Sequence, residues 1–422
     1  MSQNTAHVPD HSAVTLTPDN LADVAKTLPK KAALVLRALT MLKFGSLEIT
    51  LPDGKTFHYD APGPGPHAVA KLHNWGIIKR LFSSGSLGVA ESYIEGEWES
   101  PQTTDFLHMF LMNSYGGGAE GLFDRNPLIN LFSKISHWFN RNSKSGSKRN
   151  ISAHYDLGNN FYREWLDPSM TYSSAIFRDG ANSLEEAQEA KYRSLANMID
   201  IHSHHHVLEI GCGWGGFAEF VARKIGARVT CLTISKEQFD YATNRMKEAG
   251  LDDLVTIKFQ DYRDETGVYD RIGSIEMFEA VGEKYWPSYF SQLQNCLKPN
   301  GKAGLQVITI KDSDFEFYRN NPDFIQKYIF PGGMLPSARI MENLGKKHGL
   351  NQINTRAFGT DYASTLEEWR LKFWEKWPVI KPMGFDERFK RIWELYFHYC
   401  EAGFKVGSID VRQIIFEKPQ SA

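Results

Sequence analysis

Residues 207–235 read VLEIGCGWGGFAEFVARKIGARVTCLTIS. An apolar run, 207–210, enters a turn holding Gly211, Gly213, Gly215 and Gly216. Phe217, Phe220, Val221 and Ile225 then recur at helical spacing, and a second apolar run follows. Strand, glycine turn, helix and strand in that order form one parallel unit. The alternation continues through LVTIKFQD, YDRIGSIEMF and GKAGLQVITI. The region from about residue 151 is therefore expected to be α/β, a parallel sheet with helices on both faces. In such sheets ligands bind beyond the carboxyl ends of the strands.

The turn after the first strand is the place to look for one. Gly211 and Gly213 let the backbone turn tightly and come close to a ligand where a Cβ would collide. GCGWGG also fits the dinucleotide pattern GxGxxG, which is weak evidence for NAD. Glu209 changes the reading. Two residues before the first glycine it would face the ligand, where it would repel a pyrophosphate and attract an ammonium group. An acidic residue before GxGxG suits S-adenosylmethionine (SAM), which carries an α-ammonium and no phosphate. Later strand ends agree. LTISKEQ (232–238) offers hydroxyl and amide groups for ribose hydroxyls. In QDYRD (260–264), Asp261 and Tyr262 are placed to bind and stack adenine, with a helix cap as the alternative role for Asp261.

Composition bounds the rest. The 422 residues suffice for two or three domains, and a net charge of −2 argues against nucleic acid as a partner. Four cysteines without a CxxC pair argue against a disulfide framework or a structural zinc site and fit a reducing compartment. HSHHH (202–206) reads as a surface turn, so no metal is expected. No secretory signal and no apolar run of about 18 residues is seen. An aromatic share of 13% fits either a large aromatic core or a pocket for a long apolar ligand.

Upstream, residues 1–28 read as a loose polar tail. GSLEITLPDGKTFHYDAPG (45–63) alternates apolar and polar residues around Pro52-Asp53-Gly54 and reads as a hairpin. Helical patterning is expected around HAVAKLHNWGIIKRLF, giving a small α+β domain over 29–115. Residues 116–150 read as a linker. Its basic end, with Arg141, Lys144, Lys148 and Arg149, suits either solvation or anionic lipid headgroups. The second domain spans 151–422.

The ordered motifs HYDLGNNFY, TYSSAIF, EIGCGWGGFA, LTISKEQ, QDYRD, EMFEAVG, YIFPGGMLPS and YCEAGF resemble those of the cyclopropane-fatty-acyl-phospholipid synthase family. The plant-type and related bacterial branch is the most similar. The resemblance covers residues 151–418, and GVAESYIEGEWES (88–100) resembles the end of the family's N-terminal lipid-recognition domain. It implies a Rossmann-like class I SAM methyltransferase domain behind a smaller α+β lipid-recognition domain. The implied cofactor ligands are Tyr172, Glu209, Gly211, Gly213, Trp214, Thr233, Gln238, Asp261 and Tyr262. Trp214 either walls the methionine end or packs in the core.

The implied reaction is methyl transfer to a cis alkene of a phospholipid acyl chain, then proton loss and closure of a cyclopropane. Alternatives are a methyl- or methylene-branched product, or N-methylation of a small amine. The family holds a bicarbonate ion as base. Its ligands would correspond to Ser174 (where the family has Cys), Glu279, Gln306 (where it has His), Tyr362 and the backbone near Ile308. The resemblance further implies a cytoplasmic protein at the inner face of the membrane, with the phospholipid bilayer surface as partner; a homodimer is one option for the oligomer, which the sequence does not decide.

Overall fold

In a computed structural model, residues 13–115 and 157–420 are described. The N-terminal tail before residue 13, the linker over 116–150 and His154 lie outside them. The chain divides into two units.

The first unit carries a five-stranded sheet in the order β1-β3-β2-β4-β5, with β1 Val14–Leu16, β2 Phe44–Thr50, β3 Thr56–Asp60, β4 Gly63–Leu72 and β5 Trp98–Glu99. β2 and β3 form the expected antiparallel hairpin, and Gly54 turns it at φ +84°. Two expectations are corrected. The tail is ordered from residue 13 into β1 and the helix Leu21–Lys26, because β1 pairs with β3. HAVAKL is the end of strand β4 and not a helix. Ala68, Ala70 and Leu72 alternate inward there, and β4 pairs in parallel with β2. The helical pattern starts only at Gly76.

The helix Glu387–Val406 belongs to this first unit, although the sequence reading places it within 151–422. Its apolar face buries Trp393, Phe397 and Phe404. The Thr104 hydroxyl lies 2.7 Å from His398 Nδ1 and donates to Glu401 Oε2 at 3.0 Å, which pins the helix to the helix Thr103–Tyr115.

The second unit is the α/β unit expected. Its strands are β6 His206–Ile210, β7 Arg228–Thr233, β8 Val255–Phe259, β9 Tyr269–Ile275, β10 Leu297–Ile310, β11 Asn351–Ala357 and β12 Ile409–Glu417. They order as β11-β12-β10-β9-β6-β7-β8. β8 through β10 are mutually parallel, while β12 runs antiparallel between β10 and β11. Strand order reverses at β6, so the crevice between β6 and β9 opens at their carboxyl ends. The glycine turn follows β6, and the segment EMFEAVG follows β9. The helix Gly216–Phe220 and the π turn Val221–Ile225 that continues it bury Phe217, Phe220 and Val221 against the sheet, as the spacing predicts.

Candidate active site

The glycine turn assigns different jobs to its residues. Gly211, Gly213 and Gly215 have φ of +80°, +53° and +88°, where L side chains are strained. A Cβ on Gly211 would stand 2.5 Å from Met277 Cγ, so this glycine makes room for the protein's own β9 loop and not for a ligand. A Cβ on Gly213 would meet nothing within 4 Å. Of the two, Gly213 is the one that faces open space.

Glu209 is engaged within the protein. Its side chain is buried and accepts from the Cys231 thiol at 3.5 Å. Burial pushes its carboxyl up to about 8, against the opposing bonds of Cys231 and the Ala218 amide and the charge of Lys191.

Trp214 is buried. Its indole Nε1 donates to Asn159 Oδ1 at 2.7 Å, and its ring lies 5.0 Å from that of Tyr162. It joins a wall of rings: Tyr162, Trp165, Tyr172 and Trp369 stand 5.3–5.7 Å apart centroid to centroid. Thr233 and Gln238 are both buried, and the Thr233 hydroxyl donates to Gln238 Oε1 at 3.1 Å. Asp261 takes its alternative role. It caps the 3₁₀ turn Tyr262–Asp264 through the Arg263 amide and clamps the Arg263 guanidinium, Nε at 2.8 Å and Nη2 at 2.6 Å. Tyr262 packs edge-on against Tyr289.

At the end of β9 the structure brings Ser174, Gln306 and Tyr362 together around a residue the sequence reading passed over. That residue is Glu276. Its Oε1 accepts from the Ser174 amide at 2.8 Å and from Gln306 Nε2 at 2.8 Å. Its Oε2 accepts from the Tyr362 hydroxyl at 2.6 Å. Glu276 holds φ at +49°, uncommon for any residue but glycine, and its amide still donates to Gln306 O at 2.8 Å. Strain of this kind persists where the surroundings over-determine it, as three charge-assisted bonds do here. Burial raises the Glu276 carboxyl. The bonds from Tyr362 and Gln306, the Lys191 charge and the Ser174 amide all pull it back.

Glu279 stands apart from that set. It accepts from the Ile308 amide at 2.5 Å, while its Oε2 is buried without a hydrogen-bond partner among the described residues. Burial, with the Glu276 charge beside it, pushes its carboxyl up to about 8. Two neighbouring carboxyls of this kind do not ionise together readily, and the three bonds to Glu276 favour the charge on its side.

These contacts test the bicarbonate site directly. Three of the donors expected around the ion, on Ser174, Gln306 and Tyr362, are spent on the protein's own carboxylate, so the residues present do not fit a separate bicarbonate. The Ser174 contribution is its amide, since its hydroxyl donates to Ala175 O at 3.1 Å.

The supporting groups come from distant segments. Gln306 is fully buried on β10, and its Oε1 accepts from Gln413 Nε2 at 3.1 Å across the β10–β12 register. Gln413 Oε1 in turn accepts from Ser194 at 2.7 Å, which fixes both amide orientations. Asp361 accepts from the Phe177 and Arg178 amides at 2.7 and 2.9 Å, and Thr365 Oγ1 accepts from the Ala175 amide at 3.1 Å. Both lie on the helix Gly359–Ile380 and hold the 171–178 segment, with its Ser174 amide, in place. The fully buried Lys191 donates to Ser173 Oγ at 2.7 Å. Sequence reasoning missed Glu276, Gln413 and Lys191. Only Glu276 carried a signal, a second carboxylate inside EMFEAVG.

Residues 142–414 match the model of the mycolic acid cyclopropane synthetase family. The chain belongs to that family. It is 37% identical over 348 residues to the cyclopropane-fatty-acyl-phospholipid synthase of Escherichia coli, covering 82% of this chain and 87% of that protein. It is equally, 37%, identical over 349 residues to the tuberculostearic acid methyltransferase UfaA1 of Mycobacterium tuberculosis, covering 80% of each. Among solved structures it is similar to the mycolic acid cyclopropane synthase CmaA1 complexed with SAH and CTAB. The TM-score is 0.60 at 27% identity, with 64% of this chain and 98% of that one covered. The second unit is thus a class I methyltransferase domain, and the protein is a SAM-dependent methyltransferase. Among the described residues no helix is long and apolar enough to cross a membrane.

Proposed function

We propose that this methyltransferase adds a methylene bridge to the cis double bond of unsaturated acyl chains in membrane phospholipids, with Glu276 as the base. The observation that carries this is the Glu276 carboxylate, held by Ser174, Gln306 and Tyr362 beside a wall of aromatic rings. Bound SAM supplies an electrophilic methyl group. An alkene that accepts it becomes a carbocation, and the faces of Tyr172, Trp369 and Tyr362 can stabilise that charge. Glu276 then takes a proton from the new methyl, and the C–H electron pair closes the ring. S-adenosylhomocysteine is the leaving group of the transfer and the proton ends on Glu276, so no external anion is required. Alkenes are weak nucleophiles, so alignment and exclusion of water by the ring wall carry much of the rate.

The equal likeness to UfaA1 supports a second outcome of the same chemistry. If a hydride shifts before proton loss, the product is a methylene-branched chain, an isomer that retains a double bond. Incubation with SAM and vesicles of unsaturated phospholipid, followed by gas chromatography and mass spectrometry, tests both. A chain one methylene heavier without a double bond supports cyclopropanation, and the same mass with a double bond supports branching. Methylation of soluble amines with no lipid product would refute both.

A further inference from the structure

The helix Gly359–Ile380 presents a continuous outer stripe that changes character halfway. Thr360, Ser364, Glu367 and Glu368 are exposed in its first half, and the stripe continues with Leu371, Trp374, Pro378 and Val379. Leu371, Trp374, Val379 and Met383 are 49%, 39%, 50% and 39% exposed. They are four of the eleven exposed large apolar side chains among the described residues, gathered within residues 371–383. Single exposed apolar residues need no explanation, but such a concentration does.

Charge surrounds the patch. Lys372, Lys376 and Lys381 lie within residues 371–383 against one acidic residue, Glu375, while the buried Arg370 pairs with Glu367 at the patch's edge. The Arg370 guanidinium sits 5.1 Å over the Trp374 ring, and Lys376 pairs with Glu375 at 3.1 Å. Leucine and valine ringed by long basic side chains, with a tryptophan at the boundary, suit a surface that lies in an anionic headgroup layer. A second copy of the chain fits less well, because a self-complementary contact would set this basic patch against itself.

We propose that residues 370–383 form the surface by which the enzyme docks on an anionic phospholipid bilayer. This rests on the acyl-chain reading given above. The inner face of the same helix buries Tyr362, Thr365, Trp369 and Phe373, and Tyr362 holds Glu276. One helix therefore carries lipid contact on its outside and an active-site group on its inside, giving an acyl chain drawn from the docked leaflet a short route to the base.

The test uses the full chain and vesicles of unsaturated phosphatidylcholine with or without phosphatidylglycerol. The variant is Leu371→Glu with Val379→Glu, backed by Leu371→Ser with Val379→Ser should the first not fold. Flotation should show vesicle binding weakened roughly tenfold or more, with binding of the wild type dependent on phosphatidylglycerol. Turnover on the same lipid dispersed in detergent should be unchanged, while kcat/KM on vesicles falls. Wild-type flotation by a folded variant would overturn the proposal. So would loss of a dimer in sedimentation with vesicle binding intact, which would mark the patch as a subunit interface. Absence of lipid product in vesicles and detergent alike would instead refute the substrate reading on which the proposal rests.

Discussion

Replacing Glu276 with Gln separates a base from a scaffold. Gln retains the oxygen that accepts from the Ser174 amide and Gln306 Nε2, both at 2.8 Å. It places an amino group where Oε2 met the Tyr362 hydroxyl, which then turns from donor to acceptor. The size and most of the bonding survive, and the charge and basicity do not. The three bonds already exist before substrate arrives, so their weakening from charge-assisted to neutral, about 1 kcal/mol each, appears in folding stability and not in rate. A positioned base contributes roughly 10²–10⁴-fold to rate, about 3–5 kcal/mol of barrier. Turnover on unsaturated phospholipid should therefore fall at least ~100-fold, with SAM affinity by calorimetry little changed. Glu276→Gly adds a second arm. The φ of +49° suits glycine, and truncation leaves an anion-sized gap lined by the same three donors. Bicarbonate or formate should then restore part of the lost activity. Turnover of Glu276→Gln within tenfold of wild type, or no rescue of a folded Glu276→Gly protein, would refute the assignment.

Glu279→Gln should cost far less than Glu276→Gln, because a carboxyl raised to about 8 is mostly neutral at pH 7 already; the ratio of the two rate losses is the check. Gly213→Val should fail to bind SAM while lowering the Tm only through its φ of +53°, whereas Gly211→Val should lower the Tm further, through its φ and its contact with Met277. The folded Glu209 carboxyl, at about 8, lies above its unfolded value of 4.5. The stability it allows is complete below about pH 4.5 and is lost as pH rises toward 8. Glu209→Gln should thus raise the stability of the cofactor-free protein by on the order of 1–3 kcal/mol at pH 8 and flatten the fall of Tm between pH 5 and 8. Lys191 lowers the Glu276 carboxyl through its charge, so Lys191→Met should move the acid limb of the pH–rate profile to higher pH. An unmoved limb would remove Lys191 from the site's electrostatics.

The sequence by itself determined what depends on neighbours along the chain. Alternating apolar runs and helical spacing specify the parallel sheet, the crowded glycines specify the turn after β6, and Pro52-Asp53-Gly54 specifies the β2–β3 hairpin. Resemblance of ordered motifs supplied the family and most of the residues at the site. Tertiary structure decided what depends on partners far apart in the chain. HAVAKL is a strand because β2 lies beside it, and the helix Glu387–Val406 joins the first unit because Thr104 meets its His398 and Glu401. The proposed choice of Glu276 over Glu279 rests on contacts of the same kind. Both stand in one seven-residue motif, and nothing local tells them apart. Ser174, Gln306 and Tyr362, from segments up to almost two hundred residues apart, converge on one of the two carboxylates. A charge stays in a desolvated site only where such donors meet it, and only the folded chain brings them together.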